Sequence, residues 1–372
     1  MGGRFRVPLP LRLSKSGRGL MRPLTLVGDS IENPWNALTM MHAAEMVGSA
    51  CLFRDHKHLT DAWRETIASE AALPCIAIGE LAQSYPAIVA LDTFDEADEI
   101  YGFRPRRPGA VALVVGNERL GISRDIRRLA HDAIEIPMVS RQVSCLNVAA
   151  AAAVGLYYLA RGGGGSSQGR SDPQRRRPDL LLMGAGDPIE LGSSIRSACA
   201  FGWERALVED RRGVWFGCDR IQRSEGRGAA RRGRNPIRLI PADPGMSHAY
   251  RKVVVITVAH PGIPLHRTHL AQGKEQLIVI PDESEVRIEE EDWERLGRSV
   301  ELVHLDLPAR DFVYHYRLIA SIALAETARQ VGRKPREVGR ERGRRRPVYE
   351  KALQALLEER GELVFLEDLE AY

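Results

Sequence analysis

Three short stretches in the first half of this 372-residue sequence combine residue types that could do chemistry: ENPWN at 32–36, VVGNERLGIS at 114–123 and IPMVSRQVSCLNVAAAAAV at 136–154. In the second, Gly116 and Gly121 bracket Asn117 and Glu118 directly after an apolar run. Glycines at a strand end let main-chain amides approach a ligand at the carboxyl edge of a sheet. Taken alone, such a bracket reads as a plain strand-to-helix connection. The third stretch changes that balance, because a second loop runs into a helix start at Ser144 to Asn147. Two loops at neighbouring strand ends can enclose one small molecule.

A fourth stretch repeats the first. NPWNALTMMHAAEMVG at 33–48 and DPIELGSSIRSACAFG at 187–202 align without a gap, pairing Pro34 with Pro188 and Gly48 with Gly202. The alignment sets Arg196 opposite His42, and Glu190 opposite Asn36. A guanidinium is always charged near neutral pH and suits holding a phosphate or steadying an emerging oxyanion. Only the second copy supplies one.

The elements that must position these residues are legible as alternating patterns. Strand-length apolar runs bounded by turn residues recur as PLTLVG, ACLF, CIAIG, IVALD, VALVVG and AIEIPM, with helical patterns between them. LNVAAAAAVGLYYLAR closes this half as a helix of small and leucine residues. GGGGSSQGRSDPQRRRP then reads as a flexible linker. The alternation restarts with LLLMG, ALVED, VVVITV, QLIVIP and VELVHLDL, and ends in the helix YRLIASIALAETARQV. The pattern predicts an α/β protein of two tandem domains with largely parallel sheets, arising by internal duplication. The expected organisation is a basic N-terminal arm at 1–21, a first domain at 22–161, a linker at 162–178, a second domain at 179–331, and a basic tail at 332–372. That tail carries an amphipathic helix from Val348 to Arg360 with Gly361 placed to end it.

With these residues in place, the sequence resembles the SPOUT class of S-adenosylmethionine-dependent methyltransferases, and within it the SpoU/TrmH-like RNA 2'-O-ribose methyltransferases. Their three motifs look like NPxNxGxxxR, GNExxGIS and IPMxGxxxSLNVxxAAAI, and appear here in family order as NPWNALTMMH, GNERLGIS and IPMVSRQVSCLNVAAAAAV. The first motif is degraded and the other two are well kept. The resemblance covers residues 22–160 well and 179–331 faintly, mainly through DPIELGSSIRSACAFG. It implies a deep trefoil knot at least in the first domain, an exception to the rule against knots. It also implies S-adenosylmethionine held around Val115, Gly116, Asn117, Gly121, Ile136, Met138, Cys145 and Leu146, largely through main-chain groups. Family members act as dimers with the catalytic centre at the subunit interface.

The resemblance gives the arginine of the first motif the task of aligning and activating the ribose hydroxyl. Here the first half keeps the donor motifs but has His42 in that place, whereas the second has Arg196 but reads PDESEV where GNERLG belongs. Arg317 falls near the position of Asn147. The expectation is one chain folded as a pseudo-dimer, a monomer with higher association open, and one composite site per chain. Arg196 would hold a phosphate and the emerging alkoxide, while Asn147, Glu118 and Asn36 orient the loops or the ribose. Arg196→Ala is then expected to abolish transfer and leave donor binding nearly intact. Cys145 replaces the family serine, a weaker hydrogen-bond partner, and Glu190 brings a negative charge that needs a basic neighbour. These departures keep a second reading open, a catalytically silent RNA-binding protein on the same scaffold, and a third, methylation of a base.

Charge and composition bound the partners. A net charge of +4 says little, but arginines cluster at 175–177, at 211 and 212, at 231, 232 and 234, and at 344–346. Such clusters favour a polyanion such as transfer or ribosomal RNA. Five cysteines form no CxxC pair, and His266-x-x-His269 lacks companion ligands, so neither zinc nor a disulfide framework is expected. No apolar run approaches the roughly 20 residues of a membrane span, and the expected setting is the reducing cytoplasm.

Overall fold

The computed structural model describes residues 23–54, 57–67, 73–93, 97–162, 177–268, 270, 275–284, 290–297, 300–309 and 311–331. The basic arm at 1–21, most of the linker, the tail from 332 and His269 lie outside the described residues.

In the first half the chain runs β1 (Leu24–Asp29), α1 (Pro34–Met46), β2 (Ala50–Arg54), α2 (Lys57–Thr66), α3 (Ile78–Ser84), β3 (Ala87–Leu91), β4 (Asp98–Glu99), β5 (Val111–Val115), α4 (Arg124–Leu129), β6 (Asp132–Glu135) and α5 (Val148–Ala160). In the second it runs β7 (Asp179–Met183), α6 (Pro188–Ala200), β8 (Arg205–Glu209), α7 (Arg220–Ala229), β9 (Arg238–Pro241), β10 (Lys252–Thr257), β11 (Ile263–Pro264), β12 (Gln276–Pro281), α8 (Glu290–Leu296), β13 (Val300–His304) and α9 (Tyr316–Val331). β3 and β5 are buried at every residue. Such continuous Val, Ile, Leu and Ala runs belong to a parallel sheet covered on both faces.

The first sheet has the order β2-β1-β5-β3-β6-β4 and the second β11-β13-β10-β12-β7-β8-β9, with every pairing parallel. β8, β7, β12, β10, β13 and β11 thus stand in the order of β2, β1, β5, β3, β6 and β4, and β9 is added outside β8. The two aligned stretches form helices with the same start and end. α1 and α6 each span 13 residues, begin with proline, and are capped by the side chains of Asn33 and Asp187, which accept two main-chain N–H groups each. Gly48 and Gly202 both take positive φ, 68° and 94°, where these helices end.

One predicted strand is absent. CIAIG forms a single bridge, Cys75 to Phe53, before Ile78 opens α3. Ile78 and Leu81 are three apart, and that helical spacing outweighs a short apolar run followed by a glycine. α7 and β9 were not foreseen from the sequence.

The described residues cluster into two compact units that do not follow chain order. The first holds the chain up to Pro137, then the segment from Val148 and Leu307–Val313; the second holds Met138–Asn147, the chain from Arg177 to Asp306 and that from Tyr314. Each unit has its own core, exemplified by Val27, Leu81, Ile88 and Val114 in the first and by Leu181, Leu207, Val255 and Val279 in the second. In the second, Val139 N donates to Ala200 O at the end of α6, 3.0 Å. In the first, Ala309 N donates to Met46 O at the end of α1, 3.1 Å. Met46 and Ala200 are equivalent in the alignment, so each helix end receives a loop from the other half of the sequence. Among the described residues no helix is long and apolar enough to cross a membrane.

Candidate active site

In the first unit the strand β5 delivers the second motif as a closed turn. Asn117 and Gly121 exchange both main-chain hydrogen bonds, each 3.0 Å. Gly116 tolerates no side chain, because a Cβ there would lie 2.2 Å from the Gly121 carbonyl carbon. Gly121 needs its positive φ of 71°. The Asn117 side chain completes the turn: its oxygen accepts from Arg119 N and Leu120 N, and its amide donates to Ser30 O at 2.7 Å. Leu120 is left projecting at the tip, 79% exposed.

Glu118 ties this turn to the first motif. Its carboxylate accepts from Glu32 N and Asn33 N, both 3.3 Å, and from Asn36 Nδ2 at 3.0 Å. Arg119 adds an ion pair with Glu32. Glu118 and Asn36 therefore meet as a brace between two loops. Two further acids went unnoticed in the sequence. Asp29, fully buried at the end of β1, accepts from Arg54 Nε and Ser123 N, and Asp92 accepts from Ile122 N. The signal available was an acid closing each of two apolar runs at one carboxyl edge.

The third motif is divided between the units. Val115, Gly116, Asn117, Gly121 and Ile136 lie in the first, while Met138, Cys145, Leu146 and Asn147 lie in the second. Arg196 lies there too, nearly buried on α6. Its Nε donates to Cys145 O at 2.8 Å, and its Nη2 to Leu146 O at 2.7 Å and to Cys145 Sγ at 3.1 Å. The guanidinium thus clasps the main chain of the third motif, and Nη1 is left over. Burial lowers its pKa, and the neighbouring Arg231 charge adds to that. Arg231 Nη1 reaches the same sulfur at 2.9 Å.

The sequence left Glu190 in need of a basic neighbour, and the structure supplies two. Its carboxylate accepts from His315 Nδ1 at 3.0 Å and from Arg317 N at 2.8 Å, and Arg317 Nε lies 3.2 Å away. Arg196 is not among these partners. Burial pushes the Glu190 carboxyl upward, but the His315 hydrogen bond and the Arg317 charge outweigh it and hold the pKa below its ordinary value. Arg317 thus offsets the negative charge of Glu190.

Two of the arginine clusters are less available than the sequence suggested. Arg177 is buried, donating to Phe201 O and Ala328 O beneath the Trp203 ring. Arg211 is paired with Glu209 and Asp292. All five cysteines are free, and among the described residues no three metal-ligating side chains come together.

Glycine-tight loops at the carboxyl ends of parallel strands define a small-molecule-binding α/β domain. Residues 23–157 match the family model of the SpoU rRNA Methylase family, the segment that holds the three motifs. The chain is 30% identical over 145 residues to the 23S rRNA (guanosine-2'-O-)-methyltransferase RlmB of Salmonella typhi, across 37% of this chain and 59% of that protein. It is 29% identical over 147 residues to the RlmB of Escherichia coli strain K12, across 37% and 60%. Among solved structures, the SpoU methyltransferase AviRb from Streptomyces viridochromogenes is 24% identical with a TM-score of 0.30, covering 38% of this chain and 59% of that one. The AdoMet-bound rRNA methyltransferase from Sinorhizobium meliloti is 23% identical with a TM-score of 0.31, covering 37% and 55%. The chain therefore spans less than two thirds of the length of these relatives.

Proposed function

We propose that the chain is an S-adenosylmethionine-dependent RNA 2'-O-ribose methyltransferase acting on transfer or ribosomal RNA. The observation that carries this reading is the intact second motif, a glycine turn braced to the first motif by Glu118 inside the segment that matches the methylase family. The loops suit the donor: main-chain groups of a turn without room for a Gly116 side chain, with the apolar Ile136 and Leu146 nearby in sequence. Val115, Gly116, Asn117, Gly121, Ile136 and Met138 would hold it. Cys145 and Leu146 have their carbonyls engaged by Arg196, so they would contribute N–H groups or side chains.

When bound, S-adenosylmethionine supplies an electrophilic methyl group, so that a C–O bond to the ribose forms as the C–S bond breaks and the hydroxyl proton passes to solvent. The protein's part is alignment and charge. Arg196 would fix the third-motif loop with two nitrogens and offer Nη1 to the RNA phosphate or the developing alkoxide. Glu118 and Asn36 would hold the first loop in register with the second, and Asn147 would orient the ribose.

The same reading includes a trefoil knot in the first domain, origin by duplication, and an intrachain pseudo-dimer with one donor bound per chain. The shared strand order and the matched caps of α1 and α6 support the duplication. The test is transfer of a labelled methyl group into bulk transfer and ribosomal RNA, followed by digestion to nucleosides. Label in a 2'-O-methylnucleoside is expected. Label in a base would replace the ribose reading, and no label despite RNA binding would leave a silent binding protein. Donor stoichiometry near two per chain would contradict the single composite site.

A further inference from the structure

β9 extends the second sheet by a strand that the first sheet lacks, and α7 leads into it. α7 lies against α6 through two glycines: a Cβ on Gly192 would meet Gly226 O at 2.3 Å, and one on Gly226 would meet Pro188 O at 3.0 Å. In the first copy Leu38 stands where Gly192 stands, so this close approach belongs to the second half alone.

Residues 220–238 contain seven arginines against one acid, Glu225, a net charge of +6. Arg220, Arg223 and Arg227 recur at spacings of three and four, which places them on one face of α7, and all three are exposed. Arg231 and Arg234, also exposed, continue the row in the following turn. None of these five forms a salt bridge with a described carboxylate, in contrast to Arg211. Arg231 is held at a φ of 51°, a left-handed conformation that non-glycine residues seldom adopt, with Arg234 N and Asn235 N both donating to its carbonyl. That strained turn sends its guanidinium to Cys145, beside Arg196. Next to it opens a cleft of about 510 Å³ lined by Gln142 and by Arg232 to Pro236. Like charges in one row, with Glu225 the one acid among residues 220–238, suit a partner that brings regularly spaced negative charge.

Resting on the RNA reading above, we infer that α7 and the turn after it are a track for the RNA phosphodiester backbone, with Arg231 its innermost contact. The track makes the half that lost its donor motifs the half that grips substrate. It supplies affinity and register, with little base readout.

The test uses the full chain and a short fluorescein-labelled polyuridylate, followed by fluorescence anisotropy over a series of salt concentrations. The triple variant Arg223→Gln/Arg227→Gln/Arg234→Gln removes three charges and leaves Arg231 on Cys145. At about 0.7 released counterions per charge on a single strand, the slope of log affinity against log salt should become shallower by about 2. Replacing Arg104, Arg251 and Arg267, exposed arginines elsewhere in the chain, by glutamine should leave the slope nearly unchanged. An unchanged slope in the α7 variant, an equal loss in the control variant, or failure of the unaltered chain to bind polyuridylate overturns the inference. Calorimetric titration with S-adenosylmethionine separates it from the reading on which it rests. The α7 variant should bind donor as the unaltered chain does, and a chain that binds RNA along α7 yet never transfers a methyl group would sink the enzyme and leave the track standing.

Discussion

Replacing Arg196 by methionine keeps much of the side-chain volume and removes the fork that clasps the third motif. Two charge-assisted hydrogen bonds to main-chain carbonyls disappear, to Leu146 O at 2.7 Å in a buried setting and to Cys145 O at 2.8 Å in a half-buried one, together with the weaker one to Cys145 Sγ. A bond to a charged group contributes about 1.5–3 kcal/mol, most where the orphaned acceptor cannot reach water. The buried carbonyl falls at the upper end and the half-buried one recovers a water, which gives about 3 kcal/mol for the pair. In a domain of this size each kcal/mol moves the unfolding midpoint by about 2–4 °C, so a fall of roughly 6–12 °C is expected. Circular dichroism during heating reads the stability, calorimetry the donor affinity, and labelled-methyl transfer the activity. Transfer should be lost, and donor affinity should fall about tenfold, which is 1.4 kcal/mol. The sequence alone suggested nearly intact donor binding; the contacts to Cys145 and Leu146 revise that, since the same main chain is expected to meet the donor. Arg196→Lys can make one of the two bonds and should recover about half the stability. A stability change under about 0.5 kcal/mol, the level of an ordinary surface substitution, would refute the clasp.

Three other perturbations probe the rest of the molecule. Glu118→Ala orphans Glu32 N, Asn33 N and Asn36 Nδ2, and should destabilise by about 1–2 kcal/mol while weakening donor binding; Glu118→Gln should restore part of both, as read by urea denaturation and calorimetry. Gly192→Val drives a side chain into Gly226 O, an overpacking cost of about 1–3 kcal/mol or more, and should lower RNA affinity by displacing α7 from α6. The Glu190 carboxyl, held below its ordinary 4.5 in the folded chain, contributes stability that is full above that value and lost as pH falls through the lower folded one. Glu190→Gln should therefore be less stable than the unaltered chain at neutral pH and should flatten the stability loss as pH falls below the ordinary carboxylate value; an identical acid profile would show the Arg317 and His315 contacts to be inconsequential.

The alternation of apolar runs gave the centres of both sheets because β3, β5 and β12 are buried along their length and β10 at all but its first residue, and continuous Val-Ile-Leu runs leave little ambiguity. The likeness of α1 and α6 was legible because caps are local: Asn33 and Asp187, Pro34 and Pro188, Gly48 and Gly202 each act within one turn of their own position. α7 was not legible because RIQRSEGRGA carries two glycines and hardly any apolar residue, and what holds it is a contact with Gly192, far along the chain. The motif turn could be found from its glycines, yet the acids that hold it, Asp29 and Asp92, sit at strand ends where an acid reads as ordinary turn punctuation. Arg196 was singled out by comparison with His42; that its fork closes on Cys145 and Leu146 depends on a loop arriving from 50 residues away, which no local pattern encodes.

The third-motif loop, Met138–Asn147, is grouped with the second unit although the strand before it and the helix after it belong to the first. During synthesis this imposes a delay. The first sheet and α5 can assemble when their own residues have emerged, but the carbonyls of Cys145 and Leu146 find their guanidinium only after Arg196 follows. At about 5–20 residues per second, that interval of about 50 residues lasts roughly 3–10 seconds. Through it the nascent chain holds a finished sheet and an unfinished loop. A ribosome-bound chain stopped before α6 should therefore bind S-adenosylmethionine weakly, and one that has released α6 should bind it as the full protein does.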